Sequence, residues 1–216
     1  MILHMGWDLN LDSWKPRPFR RECIPPSRNG LPQEFGDKPF FLEIGAGTGR
    51  HAVSFAQQNP CENIVAIERT TTKSCKASNL VARVQATSPR PGLENLAMFQ
   101  DDALNWVAHH VGRSCLNGVF ILYPNPYPKP SQRKKRFHFM PFMQALVEGL
   151  VPRGTITLAT NDPRYFLETL VVLPRYYDLE ILSQRVCDPR RTPRSNFEEL
   201  FFQLHVLCYE VVLRRI

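Results

Sequence analysis

Six residues in the first half of this 216-residue chain have the types and spacing to hold a nucleoside. Glu43 is followed by glycines at alternate positions, Gly45, Gly47 and Gly49, which let the backbone turn sharply and a ligand come close. Glu68 closes the next apolar run, where a carboxylate can grip a ribose diol. Asp102 opens a later helical stretch, where it can receive an adenine amino group or simply cap the helix. A dinucleotide loop would place a third glycine at position 50; the residue is Arg50, which argues against a pyrophosphate cradle.

The elements that must position these groups are short and apolar. Phe40 to Ile44 and Ile64 to Ile67 read as buried parallel strands, each ending where its acid or glycine begins. Ligands of open α/β sheets bind at such carboxyl ends. The order Gly-x-Gly-x-Gly after an acidic residue is the pattern of S-adenosylmethionine methyltransferases, whose cofactor carries an amino acid and a sulfonium and no phosphate. S-adenosylmethionine is therefore the expected cofactor.

Further along, helices are expected to end near Asn59-Pro60 and to run over Thr70–Ala86. Strands are expected over Asn95–Phe99, Gly118–Tyr123 and Thr155–Thr160, with helices at about Met140–Leu150 and after Asn161-Asp162-Pro163. Strands over about Asp178–Arg185 and Gln203–Leu213 complete the sheet, with a basic loop through Pro189–Glu199 between them. The fold class is thus α/β, Rossmann-like, a mostly parallel seven-stranded sheet with helices on both faces. Residues 1–37 read as an irregular, basic, proline-rich arm ahead of one domain over 38–216. Trp7, Trp14 and Phe19 stand among its arginines, to anchor the arm or to touch RNA.

Composition limits the function classes. The chain is 43% hydrophobic with no run long enough to span a membrane. Met1–Asn10 lacks the basic start and apolar core of a signal peptide. Six cysteines lie far apart with no Cys-x-x-Cys pair, which suits reduced thiols in a cytoplasm and not a zinc site; no metal is expected. A net charge of +7 suits a polyanionic partner, and no obligatory protein partner is implied.

The strand over Gly118–Tyr123 delivers Pro124-Asn125-Pro126-Tyr127-Pro128-Lys129 to the edge that carries the glycines, followed at once by Arg133-Lys134-Lys135-Arg136. Arg133 and Arg136 are expected to hold phosphates while a base enters. Together with Leu42-Glu43-Ile44-Gly45, Ala159-Thr160 and Ser195-Asn196-Phe197-Glu198, this series resembles, in order, the motifs of bacterial tRNA (guanine-N7-)-methyltransferases over about residues 40–214. The resemblance implies methyl transfer from S-adenosylmethionine to N7 of a guanine in tRNA. It further implies cofactor contacts at Glu43, Glu68, Asp102 and Asn125, and substrate contacts at Lys129, Asn161, Ser195 and Glu198.

Two departures bear on chemistry. The family carries aspartate where Asn125 and Asn161 stand, so two negative charges are missing from a pocket that makes a cationic base. Asp162 is placed to restore part of that charge. Guanine N7 needs no general base, so orientation by Asn125 and Asn161 is the catalytic requirement. Two alternatives remain open: Asn125-Pro126-Tyr127 is similar to the Asn-Pro-Pro-Tyr loop of enzymes that methylate exocyclic amines, and the chain can be read as a pseudoenzyme that binds cofactor and RNA.

Overall fold

A computed structural model describes residue 11 and residues 14–87 and 92–216. Trp7 and the Ser88-Pro89-Arg90-Pro91 break lie outside the described residues. The elements in chain order are β1 (Phe40–Ile44), α1 (Arg50–Gln58), β2 (Ile64–Glu68), α2 (Thr71–Thr87), β3 (Leu96–Gln100), α3 (Ala103–His110) and β4 (Leu116–Leu122). They continue with α4 (Phe142–Gly149), β5 (Leu150–Thr160), α5 (Pro163–Tyr176), β6 (Leu179–Val186), α6 (Asn196–Gln203) and β7 (Tyr209–Arg215).

Seven strands form one sheet in the order β3-β2-β1-β4-β5-β7-β6. The pairs from β3 to β5 are parallel, and β7 lies antiparallel to both β5 and β6. The chain leaves β1 in one direction and enters β4 on its other side, so the sheet has its crevice between the carboxyl ends of β1 and β4. That is where the glycines and the Pro124–Lys129 loop emerge.

Helix packing explains the apolar runs. On one face, Phe40, Leu42 and Ile121 pack with Trp106, Phe142, Leu146 and Tyr165; on the other, Ala52, Val53 and Ala56 of α1 cover Ile64 and Ala66. All five residues of β2 are buried, as a strand covered on both faces requires. β3 and β6 are the edges; Glu180–Val186 of β6 is exposed, and its register against β7 shifts between Ile181 and Ser183.

One expectation needs correction. The final strand begins at Tyr209, not Gln203, because α6 occupies Asn196–Gln203. Ser195 starts that helix by accepting a hydrogen bond from the Glu198 N–H, and Phe197, Leu200 and Phe201 share its cavity-facing side. Of the two roles left open for the arm's aromatics, the described part shows anchoring. Trp14 packs edge-on against Phe139 and Tyr176, at 5.2 and 4.8 Å between ring centroids. Arg21 donates to the carbonyls of Val107, Ala108 and Val111, so a cation sits on the carboxyl end of α3. Trp14 is therefore a packing residue, turned toward the domain.

Candidate active site

The crevice opens into a cavity of about 1090 Å³ lined from β1, β2, β4, the loop after β4, and α6. Gly45, Gly47 and Gly49 all have positive φ, at 74°, 60° and 78°, where a side chain is strained. At Gly49 a Cβ would also stand 3.1 Å from that of Ala77. Gly45 and Ala46 donate to the Ile67 carbonyl, which folds the loop against the tip of β2.

Glu68 is buried and ties the loop to the next turn: one oxygen accepts from the Gly47 N–H at 2.9 Å and the other from the Thr70 N–H at 2.8 Å. Each oxygen keeps a lone pair for a further donor. Glu43, also buried, faces His51 at 3.0 Å. Asp102 caps α3 by accepting from Leu104 and has its other oxygen 4.0 Å from Arg69. Its neighbour Asp101, missed in the sequence, takes bonds on one oxygen from Ser27, the Arg28 N–H and Asn29, and on the other from the Asp102 N–H. Burial alone would raise the Asp101 carboxyl; these four donors outweigh it and hold the group below its usual range. The arm is thereby joined to the cavity wall.

Opposite the glycines, the Pro124–Lys129 loop is held in an unusual shape. Tyr123 and Tyr127 have positive φ, at 54° and 45°. The Asn125 side-chain oxygen accepts from the Tyr127 N–H at 3.1 Å, an Asx turn that supports the second of them. The Tyr127 carbonyl accepts from Arg136 at 2.9 Å. The cavity rim is completed by Asn161, just past the end of β5, and by Lys134 and Lys135.

A family model described as "Putative methyltransferase" matches residues 37–210. A tRNA (guanine-N(7)-)-methyltransferase from Nitrosomonas eutropha is 33% identical over 183 residues, covering 83% of this chain and 79% of that protein. The chain belongs to the tRNA (guanine-N7-)-methyltransferase family. A relative of the same description from Roseobacter denitrificans is 32% identical over 76% of this chain; the chain spans 64% of that protein's length. Among solved structures, the 16S rRNA methyltransferase KamB superposes with a TM-score of 0.63 at 16% identity, over 85% of this chain and 91% of that one, a likeness of fold.

Against the pattern of tRNA (guanine-N7-)-methyltransferases, the sites expected from sequence divide into two groups. Glu43, Gly45, Gly47, Glu68, Asp102, Asn125, Asn161 and Ser195 line one cavity. Gly49 sits behind it against α2, and Lys129 is exposed outside it. Three expectations are corrected. Arg136 is 2% exposed and pairs with Glu168 of α5, so it is a tether for the loop and not a phosphate contact. Arg133 reaches the same carboxylate at 3.3 Å and lies over the Phe139 ring. Of the basic run, the two lysines face the cavity.

Glu198 is the second correction: it is 0% exposed, accepting from the Tyr123 hydroxyl at 2.6 Å, from Arg191 at 2.6 Å and from the Arg194 N–H at 2.7 Å. Arg194 also reaches Glu210 of β7, which binds Arg185. Burial would raise the Glu198 carboxyl, but Arg194 and the other donors hold it at about 2. It is the root of α6, beneath the cavity. The third is Asp162, whose carboxylate caps α5 at the Tyr165 N–H, at 2.8 Å, and is not among the residues that line the cavity.

His138 completes the Glu168 cluster at 3.0 Å, with Thr169 on its other ring nitrogen at 3.2 Å. Burial lowers its pKa, against the pull of the Glu168 carboxylate. Among the described residues no group of three or more His, Cys, Asp or Glu is placed to hold a metal, and no helix is long and apolar enough to cross a membrane.

Proposed function

We propose that this protein transfers a methyl group from S-adenosylmethionine to N7 of a guanine in tRNA. The observation that carries the reading is one cavity shared by the glycine turn with Glu43 and Glu68 on one wall and Asn125, Asn161 and two lysines on the other. S-adenosylmethionine supplies an electrophilic methyl group when bound. The residues present fit it: Glu68 at the tip of β2 has lone pairs for a ribose diol, buried Glu43 suits a cationic ligand, and Asp102 stands where an adenine amine can be received.

On the substrate side the protein's task is orientation. Guanine N7 already carries its lone pair, so no residue needs to take a proton. Asn161 can donate to a carbonyl oxygen or accept from a ring N–H, and Lys134 and Lys135 can hold phosphates at the rim. The Asn125 carbonyl oxygen already accepts the Tyr127 N–H, which favours a loop-shaping role over receipt of an exocyclic amine proton.

The test is methyl transfer from labelled cofactor to bulk tRNA, with nucleoside mass spectrometry and alkaline cleavage. Expected is 7-methylguanosine, seen as a strand break at the modified position. An amine-methylated base, or no product although cofactor and tRNA both bind, would replace this reading by one of its rivals.

A further inference from the structure

Of the aromatic rings that line the cavity, two already carry an ammonium group. Lys73 Nζ stands 5.2 Å from the centroid of Phe197, and Lys135 Nζ 5.8 Å from that of Tyr127. Phe197 is 46% exposed, on the cavity side of α6, with its inner face stacked on Phe201 at 6.2 Å and 20° between planes. An aromatic ring left this open at the mouth of a polar cavity is not there for the core.

The chemistry of the product explains what the rings can do. In N7 methylation the purine lone pair forms the new N–C bond as the donor's S–C bond breaks. The sulfonium becomes a neutral thioether, the positive charge passes to the purine, and no proton moves. A pocket with carboxylates at 125 and 161 would meet that charge with anions; this pocket has asparagines. Ring faces attract cations without carrying charge, and purines stack on them in either state.

We infer that Phe197 and Tyr127 form the platform for the substrate base, and that their faces stabilise the 7-methylguanine cation in place of the missing carboxylates. The inference rests on the guanine-N7 reading above. Lys73 and Lys135 mark where a cation sits against these rings. When a polyanion arrives, the two ammonium groups turn to its phosphates and free the faces for the base. Phe197 is placed for this by a rigid base and a pinned rim: buried Glu198 anchors the helix, and Arg50 beside the glycine turn binds Glu199 at 2.6 Å.

The experiment compares binding of guanosine monophosphate and 7-methylguanosine monophosphate to the protein with S-adenosylhomocysteine present, in mildly acidic buffer where the methylated base stays cationic. Wild type should prefer the methylated nucleotide. Phe197→Leu should cut that preference by on the order of tenfold, Phe197→Tyr should keep it, and Asn125→Asp added to Phe197→Leu should recover part of it. A merely structural Phe197 would change the affinity for both nucleotides alike. Equal preference in wild type and Phe197→Leu, no preference in wild type, or no binding of either nucleotide would overturn the inference. Wild-type tRNA product is assayed alongside: absence of 7-methylguanosine sinks the functional reading itself, whereas its presence with an unchanged preference sinks the aromatic platform alone.

Discussion

Arg136 and Glu168 form an ion pair that is almost closed to solvent, at 2% and 3% side-chain exposure, and the free end of the same guanidinium holds the Tyr127 carbonyl. One carboxylate on α5 thus fixes a loop that begins forty-four residues earlier, at Pro124, through a single arginine. Arg133 and His138 share that carboxylate.

Removing Glu168 leaves two arginines without their anion in a dry site. Glu168→Ala should therefore lose about 3–5 kcal/mol of stability in denaturant titration. The double variant Arg136→Met with Glu168→Met, which removes charge from both sides, should regain much of the loss yet transfer methyl groups slowly, because Tyr127 is no longer held. Wild-type turnover in the double variant would show the tether to be dispensable.

Lys134 and Lys135 are the members of the basic run that line the cavity, and the proposed function gives them the phosphates. Changing both to Gln should reduce the slope of log affinity against log salt for tRNA by about 1–2, with stability unchanged. Arg133→Gln should do the reverse, lowering the melting temperature with little effect on the slope. Identical slopes for wild type and the double lysine variant would return these lysines to solvated surface.

Glu68 anchors the glycine loop, and in the proposed function it also meets the cofactor ribose. Glu68→Ala should weaken S-adenosylmethionine by about 1–3 kcal/mol, as a ribose contact and the Gly47 anchor go together. Calorimetry giving wild-type affinity would take Glu68 out of the cofactor site.

Acid should act through Glu198. Its folded pKa, about 2, lies below the value of about 4.3 for an unfolded glutamate. The ionised group therefore contributes stability that is complete above the unfolded value and is lost as pH falls toward the folded one, a contribution on the order of 3 kcal/mol. Urea midpoints of wild type and Glu198→Gln should converge as pH drops through this window. Curves that stay parallel would mean that the carboxylate is not held as described.

The glycine turn was legible because it is local: strand, glycines and helix follow one another from Phe40 to Gln58, and each residue type has one backbone reason to be there. The roles of Arg133, Arg136 and Glu198 were not, because a basic run reads the same whether it faces solvent or a buried glutamate thirty-two residues on. Phe201-Phe202 before the last strand suits a β reading equally well, and only the Ser195 cap tips it to helix. Nothing in Asp101-Asp102 says which aspartate caps and which receives the arm; the Ser27–Asn29 turn decides it from seventy-four residues away.

The shift of register in β6 governs how the protein behaves when concentrated. Leu182 is the extra residue between Ile181 and Ser183, opposite no residue of β7, and it interrupts the outer row of N–H and C=O groups in mid-strand. A second chain approaching this edge meets two short, kinked stretches instead of one flat template, flanked by Glu180 and Arg185. Deleting Leu182 would leave every other pair in place and straighten the edge. That one-residue change should raise the tendency to form β-rich aggregates, measurable by light scattering and dye binding, without touching the cavity at all.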